Sequence, residues 1–289
     1  MSDLLNLQID SEVKRYLFTG DADSFGDNWP GNNFIERARS AHHHLRSTLS
    51  EEVRKRTQEL SPIEMPAIED LQKFARQKIS PMVKGLFPES ERESVLKALT
   101  SSIVFITPIS IYEIIQNTRW HKTAWDLANL YLLSLDADLL GKDAPNIVGL
   151  SEETTCYISP SYFHEQDRFA DFLVHEAAHI FHNCKRATIG LKETRTKEWL
   201  LPVAFSLRET FAFSCEAYSR ILALGPTPNA RKLLLDEHRK TFSRDFDCIE
   251  YDIYWRCLEA AVAKRNGWKE ILTICKNTNG KSTPRTGAQ

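Results

Sequence analysis

Residues 168–182 read Arg-Phe-Ala-Asp-Phe-Leu-Val-His-Glu-Ala-Ala-His-Ile-Phe-His, and within them His175-Glu176-Ala177-Ala178-His179 has the form HExxH. Neither Pro nor Gly interrupts 167–183, so a single helix is expected, with Asp167 available to start it. Residues four apart on a helix share a face, with about 5–6 Å between Cβ atoms. Two imidazoles so placed can converge on one small cation. Zinc suits them, because it takes nitrogen ligands in a tetrahedral shell and imposes no geometry of its own. Glu176 follows the first histidine, so it stands beside the ion without having to bind it, where it can take a proton from an activated water. Alanine at both x positions favours close packing behind the site. The stretch therefore points to a zinc hydrolase; the competing reading is a chance HExxH in a helical scaffold.

Length and composition set the frame for that reading. A chain of 289 residues can form one large domain or two small ones. Its net charge of −2 offers no general attraction to nucleic acid or to acidic membranes. Cys156, Cys184, Cys215, Cys248, Cys257 and Cys275 are scattered without a CxxC, which makes neither a disulfide framework nor a cysteine zinc site and suits a reducing compartment. The N-terminus has no basic, then apolar, leader pattern. The longest apolar run, 103–115, is broken by Pro108 and is too short to span a bilayer. A cytoplasmic protein with a peptide or protein substrate, and no nucleic-acid or membrane partner, is the expectation.

Outside the motif the pattern is mostly helical. Helices are expected at 4–18, 32–60, 67–79 and 89–99, with Pro81 and Pro88 as breaks. The run 103–107 is β-branched enough for a short strand, 109–115 can continue as a helix, and 123–140 is an amphipathic core helix stopped by Gly141. Residues 146–150 and 154–159 change to strand-like patterning around a polar turn. The second of these can offer an open edge to an extended peptide, or simply shield the core. Further helices are expected at 204–224, 231–240, 246–263 and 268–275, with a polar, disordered tail at 277–289. The fold class is mainly α with a small β-sheet (α+β). Residues 1–99 form a helical N-terminal region and 100–276 the catalytic region. His42-His43-His44 point in three directions on a helix and cannot serve one metal, and the Asp21-x-Asp23 spacing lacks the later ligands of a calcium loop.

Two histidines need at least one more protein ligand, with a position left for water. The helix at 204–224 carries two acidic candidates, Glu209, thirty residues after His179, and Glu216, seven residues further and near the same face. His182 shares the motif face but lies too far along the axis to be the third ligand. Candidate donors to a developing oxyanion are Tyr157, Tyr162, Tyr218, His182, Arg208 and Arg220, among which the residue pattern does not choose.

His-Glu-Ala-Ala-His at 175–179, followed at this interval by Arg-Glu-Thr-Phe-Ala-Phe-Ser-Cys-Glu at 208–216, resembles the gluzincins, the thermolysin-like zinc metallopeptidases. The resemblance covers about residues 145–225. It implies a zincin-like fold, Zn2+ held by His175, His179 and Glu209, and Glu176 as general base and proton shuttle. The metzincin extension is absent, since Ile-Phe-His-Asn-Cys-Lys follows His179. In thermolysin-like enzymes an acidic residue often stands four positions after the ligand glutamate and holds a motif histidine. Phe213 stands there in this chain, so Glu216 or Asp171 would have to give that support. The alternative function is a non-catalytic protein with a structural or regulatory zinc site and a binding role. A fourth protein ligand such as Cys184 or Glu216 would mark it.

Overall fold

The computed structural model describes residues 2–61, 68–142, 144, 149–152, 154–195, 197–242 and 248–276. The tail expected at 277–289 lies outside the described residues. So do Pro62, Pro66 and the first residues of the strand expected at 146–150. The described chain is mainly helical with one three-stranded sheet, an α+β composition. It divides into two compact units, each assembled from segments distant in sequence. Among the described residues no helix is long and apolar enough to cross a membrane.

The first unit comprises Met1–Pro66, Val104–Glu152 and Tyr157–His164. Its helices are α1 (Ser2–Thr19), α2 (Phe34–Thr57), α5 (Ser110–Asn117) and α6 (His121–Ser134). Asn33 starts α2 by accepting the Glu36 N–H at 3.0 Å, and Glu36 returns a bond to the Asn32 N–H at 2.8 Å, a reciprocal cap. Ala41, Leu45, Leu49 and Val53 fall at intervals of four along α2 and are buried against the Trp125–Leu132 stretch of α6 and the isoleucines of α5. α6 ends at Ser134, not near 140. Asp136 takes a positive φ of 53°, a conformation that a short polar side chain tolerates. Asn129 then catches the returning chain, its Oδ1 accepting the Leu140 N–H at 2.8 Å. The apolar spacing continued past the turn because Leu140 still packs in the core.

The sheet has the order β1 (Ile103–Phe105), β3 (Thr155–Ile158), β2 (Gly149–Glu152). β3 is therefore the central strand, and both its edges are paired. The open edge expected of 154–159 does not exist, because the short β-branched run at 103–105 covers the side that the hairpin leaves bare.

The second unit comprises Ala67–Ile103, Glu153–Cys156 and Glu165–Gln289. It contains α3 (Ile68–Leu86), α4 (Glu89–Ser102), α7 (Phe172–Asn183), α8 (Arg208–Leu224), α9 (Pro228–Thr241), α10 (Tyr251–Ala263) and α11 (Gly267–Cys275). α10 begins at Tyr251, later than the apolar stripe from 246 implied, and 243–247 lie outside the described residues. Pro81 lies inside α3 instead of ending it. The forfeited backbone bond and ring clash cost about 3 kcal/mol. Ile79, Met82 and Val83, fully or almost fully buried on either side of the proline, hold the helix together against that cost. Gly85 has no Cβ where Trp268 of α11 lies against α3, and any larger residue would collide with the indole. α7 packs against α8, and α8 in turn against α10 and α11, so the motif helix rests on a helical layer.

Candidate metal centre

α7 begins at Phe172, five residues later than the pattern suggested. Asp167 instead forms a local turn, its Oδ1 accepting the Phe169 N–H at 2.9 Å. Asp171 occupies the cap position. Its carbonyl accepts the Val174 and His175 N–H groups at 2.9 and 3.0 Å. Its carboxylate makes no capping bond and pairs with Lys78 Nζ of α3 at 2.7 Å. The Asp171 N–H donates to Glu216 Oε1 at 2.8 Å. The start of the motif helix is thus tied to α3 and α8 by charge-assisted bonds.

Ala177 and Ala178 are fully buried, as close packing behind the motif requires. α8 follows a 3-10 turn at Phe205–Leu207 and carries Glu209 in its first turn, where the positive end of the helix favours a carboxylate. Glu216 sits two turns on, about 10 Å along the axis. That interval lets one helix grip a single imidazole from both sides. Glu209 Oε2 lies 3.7 Å from His175 Nε2, and Glu216 Oε2 lies 3.1 Å from His175 Nδ1. The two candidates for third ligand therefore occupy different positions: Glu209 lies on the Nε2 side, and Glu216 supports the ring from behind. Phe213 packs edge-on against the same ring, centroids 4.4 Å apart.

His179 Nε2 completes the group, 3.1 Å from His175 Nε2 and 3.5 Å from Glu209 Oε2. The three atoms form a triangle whose centre is about 2.0 Å from each corner, the length of a zinc–nitrogen or zinc–oxygen bond. These three residues could hold a metal ion, and among the described residues they are the one such cluster. Cys184 and Glu216 are not in it. Two imidazole lone pairs at 3.1 Å repel unless a proton or a cation lies between them. Burial works against charge on His175, but its bonds to Glu209 and Glu216 outweigh that and raise it from 6.5 to about 10. His175 and His179 in turn hold Glu209 far below the usual carboxylate range. Burial pushes Glu216 up, against the pull of His175.

Glu176 is buried beside His175, close enough for its charge to favour the imidazolium. The Cys156 thiol donates to its carbonyl at 3.2 Å. His182 is 4% exposed, and its Nε2 lies 3.3 Å from His179 Nδ1, on the far side of that ring from the convergent atoms. Burial, then the charges of His179 and Arg208, push it down to about 3, so it is a neutral acceptor or donor. Two of the expected oxyanion donors are engaged elsewhere. The Tyr218 hydroxyl accepts the Gly267 N–H and its ring packs on Trp268, while Arg220 Nε donates to the Arg168 carbonyl at 2.8 Å. Tyr157 and Tyr162 belong to the first unit. Lys78 carried no sequence signal, being 93 residues from its partner. The i,i+3 spacing of His179 and His182 did carry one.

The chain matches no family model, no curated protein and no solved structure.

Proposed function

We propose that this chain is a zinc metallopeptidase of gluzincin type with a zincin-like fold, in which His175, His179 and Glu209 hold Zn2+ and Glu176 is the general base. The observation that carries this reading is the convergence of His175 Nε2, His179 Nε2 and Glu209 Oε2 at 3.1–3.7 Å from one another, with no fourth His, Cys, Asp or Glu among the described residues joining them. An open fourth position is what separates a catalytic zinc from a structural one. Zinc bound there supplies Lewis acidity, polarising a peptide carbonyl and lowering the pKa of water.

The remaining roles fall to the chain. Glu216 accepts the His175 Nδ1 proton and so keeps the Nε2 lone pair directed at the ligand triangle. Glu176, next to His175 and restrained by burial, accepts the proton of the attacking water and returns it to the leaving amine. Lys78 and the Asp171 backbone fix the first turn of α7, and with it the angle at which both histidines enter the site.

The test is metal content together with peptide hydrolysis for the wild type and Glu176→Gln. The variant should keep one zinc per chain and lose about 10²–10⁴-fold in turnover. Equal turnover in the variant would remove Glu176 from the mechanism, and a wild type that takes up no zinc would end the reading altogether.

A further inference from the structure

His182 is the side chain that the proposed chemistry leaves unused, and its place is unusual. Zinc-ligating histidines hold their tautomer by giving the distal ring proton to an acceptor. For His175 that acceptor is the Glu216 carboxylate. For His179 the atom facing Nδ1 is His182 Nε2, at 3.3 Å, with the two rings edge to face at 89° and their centroids 5.2 Å apart. If His179 Nε2 presents its lone pair to the ligand triangle, Nδ1 carries the proton. His182 Nε2 must then accept it, and the proton of His182 itself resides on Nδ1. His182 Nδ1 is buried and has no hydrogen-bond partner among the described residues. A phenylalanine would fill the same space without an orphaned polar atom. The histidine has a physical reason to be there only through the acceptor it offers His179.

We infer that His182 is a positioning residue, a neutral imidazole that fixes the tautomer and ring orientation of His179 for metal binding, opposite the charged carboxylate that does the same for His175. The inference rests on the zinc reading of the site. The two ligand histidines are thus supported unequally: one by an anion on another helix, the other by a residue three positions along its own.

Competition titration against a chromophoric zinc chelator tests this in the full chain, with the thermal midpoint of the metal-free protein measured alongside. His182→Phe, which keeps the bulk and removes the acceptor, should lose about 10–100-fold in zinc affinity. His182→Gln, whose Oε1 can reach the position of Nε2, should stay within about threefold of the wild type. Both metal-free variants should melt near the wild type. Zinc affinity in His182→Phe equal to that of the wild type overturns the inference, as does an equal loss in both variants, which would make the role one of packing. If His182→Phe does not fold, His182→Leu against His182→Gln decides on the same terms. A wild type that binds no zinc sinks the proposed function itself and is recognised before any variant is made.

Discussion

Each unit buries a charged, histidine-bearing network, and the two networks end differently. In the first unit Arg46 is fully buried, and its guanidinium is held by carbonyl, hydroxyl and imidazole acceptors, with the charge of Glu152 also acting on it. Nη1 donates to the Ile115 carbonyl and to Thr118 Oγ1, both at 2.7 Å, Nη2 to the Thr118 carbonyl at 3.1 Å, and Nε to His121 Nδ1 at 3.2 Å. Burial, and then the charge of Arg46, push His121 down to about 4, so it stays a neutral acceptor. Every nitrogen of the guanidinium has a partner. In the second unit His175 also has partners, but three acceptor atoms still face one another around a common point. Burial and perturbed titration are present in both places. What distinguishes a candidate site is acceptors converging on nothing the chain supplies, whereas a structural network closes on itself.

The comparison can be broken at either end. Glu209→Gln removes the charged corner of the triangle and should weaken zinc binding by more than the roughly 100-fold that a lost supporting contact reaches, measured by chelator competition. Retention of full affinity would mean that the convergence is incidental. Arg46→Leu leaves buried acceptors at Ile115 and Thr118 without donors and should lower stability by about 3 kcal/mol in denaturant unfolding, with zinc affinity unchanged. A tenfold change in zinc affinity would show that the first network is not purely structural.

The pH dependence sharpens the contrast. His175 is raised from 6.5 to about 10, so its contribution to the metal-free protein is complete below about pH 6.5 and is lost as pH rises toward 10. Thermal melts of metal-free protein should fall across that window, and zinc-loaded protein, in which the ion replaces the proton, should hold its midpoint. The smallest expected effect is Lys78→Met, which leaves the Asp171 carboxylate buried without its cation. A loss of about 1–2 kcal/mol follows, discounted because Lys78 is partly exposed. A stabilised variant would show that the ion pair costs more in desolvation than it returns.

Much of the site was legible before the fold. The i,i+4 spacing of His175 and His179 needs only a helix to bring the rings together, and a second helix with acidic residues at 209 and 216 was recognisable from its apolar faces. Legibility failed where a residue's local preference met a long-range partner. Asp167 and Asp171 are both plausible caps. Asp171 holds the position through its backbone while its carboxylate turns to a lysine 93 residues away. Pro81 reads as a break and is a helix interior, because the buried faces before and after it outweigh one lost bond. The strand at 155–158 reads equally as an open edge or as a shield for the core, and it is central, because its second neighbour comes from 103–105.

By itself the sequence determined the helical class, the pair of histidines on one face and the glutamate between them, since those follow from the 3.6-residue period and from the chemistry of the side chains alone. Only the tertiary structure separated the positions of Glu209 and Glu216, because both lie on one face of α8 and differ in which nitrogen of a ring on another helix each one meets. It alone also placed Lys78 behind Asp171. Those placements depend on how helices pack in three dimensions, which no spacing within one segment encodes.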